Sequence, residues 1–216
     1  MGESCLRVVG VDACRGAWLA VVLDDGRYEG ATLAPRIADV LALHPDARAV
    51  AIDIPVGIIE DYGREADTAA RRFIQPRGSS VFPTPPRLVV EAPDYDQARL
   101  ICDERGWPRP SRQSYGMRHR ILEAVQAAHS DTRVFEVHPE VSFRELGGRP
   151  LEKKKTLLGQ TQRLELLASA GIHLSHAVDD DHLDAAVAAW SAARYARGEA
   201  LPLPEGHAAR LGAIWR

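Results

Sequence analysis

Three acidic residues stand at or near the ends of short apolar stretches in this sequence. Asp12 closes RVVGVD, Asp53 follows ARAVAI, and Glu136 lies in TRVFEVHPE. A carboxylate next to a dry core costs several kcal/mol of folding free energy unless a cation pairs with it. These positions therefore suggest a site that binds a cation, although acids at strand ends are also common in loops without a function.

A fourth acidic segment, DDDHLDAAVAAW, begins at residue 179. Asp181 and Asp184 lie three residues apart and share one face of a predicted helix. The alanines that follow have little bulk, so this helix can approach the sheet closely. Helix capping is the alternative, with Asp181 as the N-cap and Asp184 in the first turn. Capping explains one of these two acids, but it does not explain four acids within six residues.

Carboxylates gathered at one point repel one another, and at least one of them stays protonated unless a cation neutralises the group. Mg²⁺ and Mn²⁺ are hard cations that take oxygen ligands. Two such ions about 4 Å apart can activate a water and stabilise the leaving oxygen in phosphodiester cleavage. The sequence thus predicts a site for Mg²⁺ or Mn²⁺ whose ligands are Asp12, Asp53, Glu136, Asp181 and Asp184. All of these except Asp181 are also predicted to be catalytic.

The elements that must position these acids follow from the pattern of apolar residues. Strands over 7–12, 17–23 and 28–34, with a turn at Asp25-Gly26, predict an antiparallel meander. Two later strands, one ending at Asp53 and one containing Glu136, are linked by helices and should join the sheet in parallel. Helices are predicted at 35–44, 64–75, 94–105, 115–129, 152–171 and 181–197. This is an α/β mixed sheet with helices on both faces, and ligands of such sheets collect at the carboxyl ends of the strands.

The composition is typical of a globular protein, and the 216 residues predict a single domain over 1–216. Three cysteines without a C-x-x-C spacing fit reduced thiols in a cytoplasm. No signal peptide is expected at the N-terminus, and no apolar run approaches the roughly 20 residues of a membrane span. A net charge of −3 argues against a protein that coats nucleic acid non-specifically.

Residues 76–114 are rich in Pro, Gly and Arg and predict an insertion or lid, since they hold too few apolar residues for a core of their own. Arg77 and Arg87 flank GSSVFPTPP, and guanidinium groups pair well with phosphate oxygens. Lys154 stands in the only group of lysines in the chain, Lys153, Lys154 and Lys155. Arg77, Arg87 and Lys154 are therefore predicted to bind substrate, with a solvated surface as the alternative.

Together these stretches resemble a known family. GVDACRGAW, AIDIPVG, RGSSVFPTPPR, EVHPE and DDDHLDAAVAAW are similar, in order and over residues 7–197, to the predicted RNase H-like nucleases of a domain-of-unknown-function family related to RuvC-type resolvases. The resemblance implies an RNase H-like fold, a five-stranded mixed sheet in the order 3-2-1-4-5. It also implies Asp12 on strand 1, Asp53 at the end of strand 4, Glu136 at strand 5, and Asp184 and Asp181 on the last helix.

The function expected from these observations is metal-dependent hydrolysis of a phosphodiester, in nucleic acid or in a small molecule. One alternative is a phosphotransferase similar to actin or the sugar kinases, although the sequence lacks the Gly-rich phosphate turns of that class. Another is a non-catalytic protein that binds a ligand or a metal in the same pocket. The sequence gives no indication of an oligomeric state.

Overall fold

The computed structural model describes residues 5–14, 16–174, 179–207 and 209–216. Its central sheet has five strands in the order β3-β2-β1-β4-β5, which confirms the predicted order. The strands are β1 (Arg7–Cys14), β2 (Ala17–Asp24), β3 (Arg27–Ala34), β4 (Val50–Ile52) and β5 (Val134–Glu136). β1, β2 and β3 form the antiparallel meander, whereas β4 is parallel to both β1 and β5. The carboxyl ends of β1, β4 and β5 therefore lie at one edge.

The helices in this part of the chain are α1 (Ile37–Leu43), α2 (Glu65–Phe73), α3 (Arg87–Val90), α4 (Tyr95–Arg105), α5 (Arg112–Gly116), α6 (Arg118–Ser130), α7 (Pro139–Gly147), α8 (Leu157–Ser169) and α9 (Asp180–Ala196). The helix predicted from 152 begins later because the Thr156 side chain caps it, accepting from the backbone N–H of Gly159. No helix was predicted at α7. There His138 caps the helix by accepting from the N–H of Glu140, and Pro139 occupies the first turn.

Alternate residues of β1 face two separate apolar layers, as expected for a strand covered on both sides. Val9 and Val11 pack in one layer with residues of α1 and α6. Val8 packs in the other layer, whose largest share comes from α9. Both layers are buried, so helices cover both faces of the sheet. A site can therefore form at the edge where the carboxyl ends of β1, β4 and β5 lie.

Close packing of α9 on β1 depends on Gly10 and on the small residues of the helix. A Cβ atom added to Gly10 would lie 2.0 Å from the backbone nitrogen of Ala189 and 2.1 Å from the carbonyl oxygen of Ala185. Any side chain at position 10 would therefore push the helix away from the strand. The prediction that the alanine stripe allows a close approach is confirmed, and it brings the first turns of α9 next to the end of β1.

The insertion contains a small apolar cluster that the sequence analysis did not predict. Val89, Ala98, Cys102 and Tyr115, together with Ala92, form a small buried cluster of their own. The expectation that residues 76–114 lack a core is therefore wrong, because a few residues from α3, α4 and α5 suffice to build one. A second small sheet pairs β6 (Pro202–Leu203) with β7 (Ile214–Trp215), strands too short to predict from sequence. Among the described helices, none is long and apolar enough to cross a membrane.

Candidate active site

Asp12, Asp53 and Asp184 meet at the edge where β1 and β4 end. Asp12 lies in β1, and Asp53 follows β4, its backbone N–H donating to the carbonyl oxygen of Val11 at 2.9 Å. Asp184 comes from the second turn of α9, the helix packed on β1. The charges of Asp12 and Asp184 both raise the pKa of Asp53, and the charge of Asp184 also raises the pKa of Asp12. The structure thus brings together three of the five predicted metal ligands, which we call the acidic cluster.

Burial raises the pKa values of the carboxyl groups in the acidic cluster. The Asp12 side chain, in a residue that is only 8% exposed, has its pKa raised to about 8, mainly by burial and then by the charges of Asp184 and Asp181. One hydrogen bond opposes this shift, from the backbone N–H of Ala13 to Oδ1 of Asp12 at 2.7 Å. The charged form of Asp12 is therefore unstable in this position unless a cation arrives.

Asp53 and Asp184 are shifted in the same direction. Burial raises the pKa of Asp53 well above its usual range, and the charges of Asp12 and Asp184 raise it further. Burial also raises the pKa of Asp184, to about 6, with Lys154 opposing the shift. Burial is the largest cause of all three shifts, so the protein by itself stabilises the charged forms of these carboxylates poorly.

Lys154 is the only cation that hydrogen-bonds to the acidic cluster within the described ranges. Its amino group lies 2.7 Å from Oδ2 of Asp184, and the lysine side chain is still 41% exposed. Burial lowers the pKa of Lys154, but the carboxylates of Asp184, Asp53 and Asp12 raise it by more, so its net shift is upward. Lys154 therefore stays charged, and the structure places this predicted substrate-binding residue directly at the carboxylates.

Asp181 lies near the acidic cluster, since its charge raises the pKa of Asp12. It is not the N-cap of α9: that position belongs to Asp179, whose side chain accepts from the backbone N–H of His182. As the side chains are placed, no group of three or more His, Cys, Asp or Glu residues in the described part of the chain could hold a metal ion. The predicted five-ligand cage is therefore not preformed.

Glu136 was predicted to bind metal and to take part in the reaction, and its hydrogen bonds to groups of this chain favour a structural role instead. Arg64 Nη1 donates to Oε2 of Glu136 at 2.7 Å, and Arg64 Nη2 donates to Oε1. The backbone N–H of Val56 also donates to Oε2, at 2.9 Å. Both oxygens are thus occupied, although Glu136 lies close enough to raise the pKa of Asp53. Glu136 instead holds the chain that leaves β4.

Arg64 also binds Asp67, which makes a buried network that sequence reasoning missed. Arg64 Nε lies 2.8 Å from Oδ1 of Asp67, and the Thr84 backbone N–H donates to Oδ2 at 2.6 Å. The arginine is only 3% exposed. We call Arg64, Asp67, Glu136 and Thr84 the arginine network. Because it joins the segment after β4 to β5 and to the proline-rich loop, it fixes the walls around the acidic cluster.

A cavity of about 640 Å³ opens beside these groups. Asp53 and Asp184 line it at one end, and Lys153, Lys154 and Lys155 line it as well. Other walls come from the loop at 80–85, from residues 111–117 and from the start of α7. Two members of the acidic cluster, Asp53 and Asp184, thus face a chamber of the size that holds a small ligand in other proteins, whereas Asp12 does not line it.

The two predicted arginine contacts differ in position. Arg77 lines the cavity, where its Nε donates to the carbonyl oxygen of Leu151 at 3.1 Å and its guanidinium lies 3.4 Å from Glu152. Arg87 does not line the cavity. Its guanidinium pairs with Glu60 at 2.9 Å and Glu91 at 3.2 Å. The prediction that Arg87 holds substrate is therefore not supported, because local acids already take its donors.

Comparison with known proteins gives a family but no characterised relative. No curated protein and no solved structure matches the chain. A family model described as protein of unknown function (DUF429) matches residues 10–209, a range that contains the acidic cluster, the arginine network and all the residues that line the cavity except Ile214. The chain belongs to this family, the protein of unknown function family DUF429.

Proposed function

We propose that this protein is a metal-dependent hydrolase of phosphodiesters, in the manner of a nuclease. The observation that carries the proposal is the acidic cluster: Asp12, Asp53 and Asp184 lie together at the end of parallel strands, beside a cavity, with raised pKa values. Proteins seldom keep such charge in a buried place without a use for it, and perturbed carboxylates in a cleft are common at catalytic sites.

The donor set suits Mg²⁺ or Mn²⁺, even though no cage of three carboxylates is preformed. Mg²⁺ is usually bound by one or two carboxylates, with waters and substrate phosphates filling the other positions. Asp12 and Asp53 would hold the ion, and Asp184 would join them when Lys154 turns away from it. Once bound, the ion would activate a water and neutralise charge on the phosphate.

Lys154 has a distinct role in this proposal. Its pKa is raised by the neighbouring carboxylates, so it serves as a fixed positive charge rather than as a proton donor. A fixed charge that faces the phosphate stabilises the extra negative charge of the transition state. In the reaction, a water oxygen bonds to phosphorus, the ester P–O bond breaks, and a proton from the water ends on the departing oxygen.

We further propose that the fold is RNase H-like and related to the RuvC-type resolvases. What supports this is the sheet order β3-β2-β1-β4-β5, combined with acids at the ends of β1 and β4 and on a helix packed against β1. Fold-level similarity alone does not establish an activity. The hydrolase proposal therefore rests on the acidic cluster and not on the sheet.

The experiment compares wild-type protein with Asp12→Asn and with Asp96→Asn, a control acid on the surface of α4. Hydrolysis of bis(p-nitrophenyl) phosphate is followed with Mn²⁺ and with EDTA. Wild type and the control should be active only with Mn²⁺. The Asp12→Asn variant should lose at least about 100-fold of the rate, more than a lost supporting contact usually costs a metal site.

Circular dichroism of each variant checks that the fold is retained. Wild-type rates in Asp12→Asn, or rates that do not change with EDTA, would contradict the proposal. A rise in melting temperature with Mn²⁺, without any hydrolysis, would point instead to a protein that binds metal but does not react.

A further inference from the structure

The cations that line the cavity indicate the charge of the ligand that it can bind. Arg64, Arg77, Lys154 and Arg163 line the cavity, and each is paired with a carboxylate of this chain. Lys153 and Lys155 also line it and are exposed, but neither makes an ion pair with a described residue. Two unpaired ammonium groups at the wall of a chamber can bind an anion of one or two negative charges, which is the charge of a single phosphate group.

Most arginines of the insertion are paired with acids of this chain and so offer little net charge to a long nucleic acid. Besides Arg77, three of its arginines lie within 3.5 Å of acids: Arg87, Arg99 and Arg109. Three more in and just after the insertion stack on aromatic rings: Arg105 on Trp107, Arg112 on Tyr95 and Arg118 on Tyr115. Because affinity for long nucleic acid grows with the number of neutralised phosphates, this surface is poorly suited to it.

The remaining walls suit a flat, partly polar group. Phe82 lines the cavity and is 68% exposed, between Val81 and the stiff segment Pro83–Pro86. An aromatic ring that a folded protein leaves open beside a phosphate site provides a surface on which a base can stack. Gln113 and Ser114, on α5, line the same chamber with groups that both donate and accept hydrogen bonds.

We propose that the site takes a nucleotide-sized phosphodiester rather than a duplex, with its scissile phosphate at the acidic cluster beside Lys153 and Lys155 and a base on Phe82. The inference rests on the proposed function for placing the scissile phosphate at the acidic cluster. The volume of about 640 Å³ is within the range of small-ligand pockets. The residues that line it come from both the sheet end and the insertion, so a ligand inside would contact both.

Calorimetry with Mn²⁺ tests the inference on three probes: the dinucleotide d(TpT), a single strand of about 20 thymidines and a duplex of about 20 base pairs. The dinucleotide should bind, and the Kd of the single strand per site should be within about threefold of it. The duplex should bind at least about tenfold more weakly. Affinity that rises about tenfold or more with length, or a duplex that binds most tightly, would overturn the inference.

Variants sharpen the test. Phe82→Ala and the double variant Lys153→Ala with Lys155→Ala should each weaken d(TpT) binding by about tenfold. Arg27→Ala, an exposed cation on β3 at the far edge of the sheet, should leave it unchanged. Phe82, Lys153 and Lys155 are exposed, so these changes should not unfold the protein. Wild-type affinity in both cavity variants would overturn the inference.

Hydrolysis measured on the same samples separates the two proposals. A dinucleotide that is bound but not cut, with Mn²⁺ present, supports the ligand class and contradicts the hydrolase. Cleavage of long or duplex DNA that needs Mn²⁺, together with no binding of d(TpT), supports the hydrolase and overturns the ligand class. If none of the three probes binds, the ligand class is overturned as well.

Discussion

Two groups of buried acids lie at the same end of the sheet, and their surroundings are opposite. In the arginine network, all four carboxylate oxygens of Asp67 and Glu136 accept hydrogen bonds, most of them from Arg64. In the acidic cluster, one lysine reaches one oxygen of Asp184. The difference separates buried acids that a cation of this chain already neutralises from buried acids that largely lack one, and the proposed metal site lies at the second group.

Breaking the arginine network should have the largest effect. Arg64→Ala leaves Asp67 and Glu136 buried without their cation, and removing one partner of a buried ion pair commonly costs about 3–5 kcal/mol of the free energy of unfolding. Urea denaturation measures this loss. The expected loss is greater than that for any exposed pair because Arg64 is almost fully buried.

The control for this measurement is Arg99→Ala on α4. Its guanidinium lies 3.5 Å from Asp96 and is well exposed, so its loss should change the free energy of unfolding by less than about 1 kcal/mol. If Arg64→Ala were no more destabilising than Arg99→Ala, the arginine network would not hold the site together, and the comparison between the two groups of acids would fail.

The acidic cluster should make the free energy of unfolding depend on pH when no metal is present. The folded protein raises the pKa of Asp12 to about 8, far above the ordinary value of 3.8. Between these values the folded state holds a proton that the unfolded state has lost. Stability in EDTA should therefore fall as the pH rises from about 4 to about 8, by up to about 1.4 kcal/mol per pH unit for one proton.

Asp12→Asn is the matched test, because an amide keeps the shape of the side chain and removes its titration. Melting curves in EDTA at several pH values should be flatter for this variant, and the variant should be the more stable protein near pH 8. An equal slope in the two proteins would mean that the folded state does not raise the pKa of Asp12. The acidic cluster would then not need a cation from outside.

The places of the acidic cluster in the fold could be predicted from the sequence, because local pattern fixes them. Asp12 and Asp53 end apolar strands, and the pairing of parallel strands places their ends together. The alanines of α9 bring Asp184 to the same edge. Each of these positions depends on periodicity and side-chain size, which are visible along the chain.

The arginine partner of Glu136 could not be predicted, because it lies 72 residues away in sequence. In a single sequence, an acid at a strand end that pairs with a distant arginine cannot be distinguished from one that binds a metal. The arginine is the only distinguishing feature, and its position depends on how the chain turns after β4. A buried arginine such as Arg64, directly before α2, has no signal in a single sequence that separates it from an exposed one.

Lys154 offers the finest test of the difference between the two groups of acids. Lys154→Met removes the one ammonium group bound to Asp184, frees that oxygen for a metal and removes a like charge from its surroundings. Binding of Mn²⁺, measured by calorimetry without any phosphate ligand, should therefore tighten by about tenfold, or about 1.4 kcal/mol. Lys153→Met is the matched control, since Lys153 is exposed and makes no ion pair with a described residue; its effect should be less than about threefold. Unchanged or weaker binding in Lys154→Met would contradict this expectation, and Asp184 would lose its support as a ligand of the ion.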